Sequence, residues 1–92
     1  MNAIALPEEL TIYNAAATRA RFDARLAEGG GLELDAAAVA EVDGAGIQLL
    51  VAGRRHAAVL GRSFSLSNVP AALQSTLALL ELTFEGPREA GA

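Results

Sequence analysis

The sequence predicts an α/β domain in which about four strands form a largely parallel or mixed sheet, with three or four helices packed against it. Two observations carry this. Apolar residues recur with period two over 32–35 and 63–67, as in strands, and with helical spacing after Asn14, Asp43 and Pro70. The two kinds of segment alternate along the chain, and such alternation implies parallel strands joined by right-handed helical crossovers. Length agrees, because 92 residues with 52% apolar content can build one compact core without disulfide or metal staples. Residues 1–85 are therefore read as a single domain and residues 86–92 as a mobile tail, rich in glycine and poor in anything to bury.

Each element has its own local signal. Ile4, Leu6 and Leu10 with Pro7 between them suit a short edge strand that ends or bends at the proline. Asn14 is a good N-cap for a first helix carrying Phe22 and Leu26 one turn apart, and Gly29-Gly30-Gly31 stops it. Leu32-Glu33-Leu34-Asp35 is a strand with both leucines on one face. Val39 and Val42 lie in a connection that runs into a second helix, with Asp43 as its cap, Ile47, Leu50, Val51 and Ala58 as its apolar face, and Gly61 as its end. Ser63-Phe64-Ser65-Leu66-Ser67 alternates without a fault and is the next strand. Asn68 and Pro70 open a third helix with a Leu73, Leu77, Leu80 stripe, after which Leu82 and Phe84 either add a final strand or pack on the core.

Charge and composition narrow the function. The formal net charge is −4 and every base is arginine, so the basic face that supplies nucleic-acid affinity is missing and no nucleic-acid partner is expected. The absence of cysteine removes disulfides and thiolate chemistry, and a single histidine excludes a multi-histidine metal site within one copy; no metal or cofactor is expected. Met1 to Ala5 has no basic stretch leading into an apolar run, and nowhere do roughly 20 apolar residues follow one another. The expectation is a soluble cytoplasmic protein. The short first strand is a potential pairing edge that Glu8 and Glu9 guard, which favours a monomer or weak dimer.

Candidate chemistry is sparse. His56 lies mid-helix, off the 47/50/51/58 face, and reads as a surface histidine rather than a catalytic base. Ser63, Ser65 and Ser67 share one side of a strand, where hydroxyls usually solvate an edge. No enzymatic activity is expected. The informative segment is Asp43-Gly44-Ala45-Gly46, where small residues at a helix start leave backbone N–H groups open to an anion or to the close approach of another protein. The adjacent carboxylate repels phosphate and complements the helix dipole, which favours capping or protein contact, and no Gly-Lys-Ser/Thr phosphate loop is present.

Leu34-Asp35, Val39 and the run from Glu41 through Asp43-Gly44-Ala45-Gly46 to Leu50 resemble the central signature of STAS domains, the fold of anti-sigma-factor antagonists and of the cytoplasmic ends of sulfate transporters. Leu10-Thr11-Ile12-Tyr13-Asn14-Ala15 resembles the family's entry into its first helix, and 61–80 follows its later course, so the resemblance spans about residues 3–84. It implies a non-catalytic bacterial protein-interaction module, working in partner-switching or chemotaxis-type signalling with an anti-sigma-factor kinase-like partner. In the antagonists a Ser or Thr follows the Asp and is phosphorylated to release the partner. Here Gly44 holds that position and Ala45 follows, so no phosphoryl acceptor is present. The resemblance carries two further readings: a fixed cytoplasmic STAS subunit of a lipid-transport ABC system, docked on the transporter ATPase, and a nucleotide-binding STAS domain, for which no base pocket or phosphate clamp is evident. The family's docking face maps to Asn14, Asp43, Gly44, Ala45, Gly46 and Gln48.

Overall fold

The computed structural model describes residues 3–79. In chain order they form β1 (Ile4–Ala5), β2 (Glu9–Leu10), α1 (Ala15–Ala27), β3 (Leu32–Asp35), β4 (Glu41–Val42), α2 (Gly44–Val59), β5 (Phe64–Ser67) and α3 (Ala71–Leu79). Every strand pairing is parallel. One sheet runs β1-β3-β5, and β2 pairs with β4. This is the α/β architecture read from the alternation of periods. The expected final strand at Leu82 and Phe84, the stripe residue Leu80 and the 86–92 tail lie outside the described residues.

Register explains the core. Leu34 stands between Ile4 and Leu66 across the three strands, and Leu32 stands opposite Phe64. Because side chains alternate along a strand, this alignment puts the apolar residues on one face, where Ile4, Leu32, Leu34 and Leu66 are buried. Phe22 and Leu26 of α1, Leu49 and Leu50 of α2, and Leu73 and Leu77 of α3 close over them. Leu73 and Leu77 are thus two of the three stripe positions expected of the third helix.

Three expectations are refined. Of the two outcomes expected at Pro7, an end or a bend, the first holds: the edge strand β1 ends before the proline, and a separate β2 pairs with a different partner, since proline offers no N–H to carry a single ladder through. The connection before α2 contains a two-residue strand, β4, too short for periodicity to reveal. In α2 Ile47 and Leu50 are buried and Val51 is partly buried, as expected, but Ala58 is exposed, and Gly46, Leu49, Gly53 and Ala57 complete the buried set. A search for bulky apolar residues passes over glycines, and those glycines let the helix approach its neighbours.

Both long helices stop in the same way. Glycine with positive φ follows each, Gly29 at 94° and Gly61 at 70°. Gly29 N–H then bonds the Leu26 carbonyl and Gly30 N–H the Arg25 carbonyl, while Gly61 and Arg62 repeat the pattern on Ala58 and Ala57. Arg62 joins the two ends: its Nη1 donates to the carbonyls of Leu26 at 2.7 Å and Gly30 at 3.0 Å. A guanidinium at a helix C-terminus is also favoured by the helix dipole.

Candidate functional site: the α2 tip and the 11–14 turn

The start of α2 is built around one carboxylate. Asp43 has extended backbone, as an N-cap requires, and its Oδ1 accepts from Gly46 N–H at 3.0 Å. Its Oδ2 accepts from Ile12 N–H, also at 3.0 Å. One side chain therefore caps α2 and ties the 11–14 turn to it across 31 positions of sequence. The Ile12 N–H, and after it the Gly46 N–H, hold the Asp43 carboxyl below its usual pKa, since both bonds favour the charged form. With both oxygens committed to backbone donors, this carboxylate serves as a structural node rather than an acid–base group.

Acid titration should show it. Because folding lowers this pKa, the group's contribution to stability is complete above the unfolded-chain value of about 3.9 and shrinks as pH falls through that value toward the lower folded one. Asp35 adds to the slope, because the Ala37 N–H and then the Asn68 side chain lower its pKa as well. The wild-type thermal midpoint is expected to fall between about pH 5 and about pH 3, and Asp43→Asn, less stable at neutral pH, should lose less over that interval. Circular dichroism melts at several pH values give the comparison.

The expected docking residues separate into two groups. Asp43, Gly44 and Gln48 are exposed, with Asn14 and Ala45 partly so, and the Asp43–Ile12 tie brings the starts of α1 and α2 to one end of the molecule. Gly46 does not belong with them. It is buried against β2, where a Cβ would meet the Leu10 carbonyl group, so its lack of a side chain serves packing and not docking. Gly44 is its opposite: a Cβ there meets nothing within 4 Å. Asn14 occupies the N-cap position of α1 without capping through its side chain, and its Nδ2 instead donates to the Glu9 carbonyl at 2.6 Å. That bond closes the turn.

The turn carries two residues that the sequence reading treated only as a lead into α1. Ile12 is 63% exposed and Tyr13 is 88% exposed. Continuing the strand alternation from Leu10 would bury Ile12, and only the reversal at 11–14 turns it outward. The Thr11 hydroxyl oxygen in the same turn is buried without a hydrogen-bond partner.

Elsewhere, His56 is exposed, with Nδ1 3.8 Å from Asp23 Oδ1, so it lies on the surface as expected. It borders a groove of about 240 Å³ between α1 and α2, floored by Phe22, Leu26 and Leu49. Among the described residues no group of three or more His, Asp or Glu side chains is placed to hold a metal ion, and no helix is long and apolar enough to cross a membrane.

The described residues thus form a parallel α/β domain with open space beside Gly44 at the start of α2. Comparison with known proteins agrees: the family model described as "Mlab, STAS domain" matches residues 2–83. The chain belongs to the STAS domain family, whose members serve as protein-interaction modules. No curated protein and no solved structure matches the chain.

Proposed function

We propose that this protein is a non-catalytic docking module, related to the anti-sigma-factor antagonists, that holds a protein partner at the α2 tip without a phosphorylation switch. Gly44 carries the reading. It is exposed, has open space where a side chain would extend, and supplies no hydroxyl at the position where the antagonists are modified. Such a tip lets another backbone come close, and no added phosphate can drive it away. Asn14, Asp43, Ala45 and Gln48 surround it, whereas Gly46 lies beneath. The pathway served is bacterial partner-switching or chemotaxis-type signalling, and the site of action is the cytoplasm.

A second reading draws on the same glycine. A permanent subunit has no need of a release step, so a cytoplasmic STAS subunit of a lipid-transport ABC system, seated on its ATPase, would use the same unmodifiable tip.

Gly44→Arg against Gly44→Ser tests docking. Both variants should fold as wild type, since the position opens to solvent. Gly44→Arg should weaken retention of the partner by at least about tenfold, while Gly44→Ser should leave it within about twofold. Affinity capture with quantitative mass spectrometry reads both, and equal retention by Gly44→Arg and wild type would sink the proposal. A retained anti-sigma-factor kinase favours the signalling role, and a retained transporter ATPase favours the subunit role.

A further inference from the structure

We infer that Ile12 and Tyr13 form an apolar anchor beside the α2 tip, and that it seats in an apolar pocket on a positively charged protein surface. This rests on the docking role proposed above and specifies the partner. Two neighbouring large apolar residues stand 63% and 88% exposed at one turn. Tyrosine is prominent among residues that dominate binding energy, because its ring buries a large area at low entropic cost.

The turn is also held in shape. Ile12 N–H is bonded to Asp43 Oδ2, Asn14 N–H to the Thr11 carbonyl at 3.0 Å, and the Asn14 side chain to the Glu9 carbonyl. An anchor already fixed in place loses little freedom on binding.

Charge identifies the occupant. Glu8, Glu9, Glu41 and Asp43 are all exposed on the segments that flank the turn, and Glu9 stands in register with Glu41 across the β2–β4 pair. Residues 3–18 and 32–53, which include the turn, β2, β4 and the start of α2, contain no arginine; the described arginines lie at 19, 21, 25, 54, 55 and 62. Like charges facing each other across strands repel, and a surface of opposite sign relieves the repulsion while steering encounter. The same carboxylates repel nucleic acid and anionic lipid, and a symmetric second copy would bring a matching set of acids. A basic protein remains.

The test places the photo-crosslinking amino acid benzoylphenylalanine, one position at a time, at residues 13, 48 and 59 of the full chain, with irradiation in the producing cell. Val59, exposed at the C-terminal end of α2, is the control. Position 13 should give one dominant protein adduct, absent from position 59, whose cross-linked segment carries several Lys or Arg residues. The Glu9→Lys/Glu41→Lys variant, checked for folding by circular dichroism, should cut its yield at least about tenfold. An adduct from position 48 and none from position 13 would overturn the anchor and leave docking at the tip standing. An acidic cross-linked segment, or a yield indifferent to charge reversal, would overturn the basic partner. No adduct from either position would count against both the anchor and the docking role.

Discussion

Gly46→Ala is expected to lose about 3 kcal/mol or more of folding stability, enough to leave a domain of ordinary stability marginal or unfolded. The added methyl would fall on the carbonyl oxygen of Leu10 and lie 2.8 Å from its carbonyl carbon. Both are backbone atoms. Leu10 is fully buried, paired with Val42, and accepts the Asp43 N–H at 3.3 Å, so relief by moving it would break the β2–β4 pair and disturb the cap of α2. Alanine's advantage over glycine inside a helix, about 1 kcal/mol, is too small to compensate. The same substitution at Gly44, two residues earlier, meets open space and should change stability by less than about 1 kcal/mol in either direction. Urea denaturation of the pair decides the matter, and equal midpoints for the two alanine variants would contradict the close approach of α2 to β2.

Phe22→Ala should cost about 3–5 kcal/mol, the range for removing a buried aromatic ring. Phe22 is 2% exposed and forms part of the contact between the long helices: two of its ring carbons lie 3.2 Å from where a Gly53 Cβ would stand. The ring also floors the 240 Å³ groove. Without it the groove would deepen into the core, and the contacts that the ring makes would be lost. Phe22→Leu, which fills part of the volume, should cost clearly less. A fall in the urea midpoint at unchanged slope would mark the loss as one of stability and not of compactness.

The two glycines of the Asp43-Gly44-Ala45-Gly46 run show how far the sequence could be read. Their position at a helix start, and Asp43 as the cap, were legible, since capping has a local residue signature that the structure reproduces. Which glycine opened to solvent and which faced the core was not. Neither has a side chain to enter a periodicity, and only the path of β2 past Gly46 separates them. Asn14 gives a similar lesson: its residue type marked a helix start, but its amide is drawn to Glu9, because the turn brings that carbonyl within reach. Leu32, Leu34 and Leu66 were readable as core because strand alternation reports burial directly. Tyr13 was not readable as exposed, since its position follows from the tie of its neighbour Ile12 to Asp43, 31 places away in the chain.

Three glycines in a row, 29–31, would ordinarily be taken for a hinge. Here Gly29 and Gly30 spend their N–H groups on α1 carbonyls, the Gly30 carbonyl accepts from Arg62, and Gly31 lies so close to Ser63 that no side chain fits between them. The rear of the molecule is therefore latched, and that connection does not serve α1 as a pivot. At the opposite end the Asp43 carboxylate shares the join with the β2–β4 pair and with the Leu10 carbonyl, which accepts the Asp43 N–H.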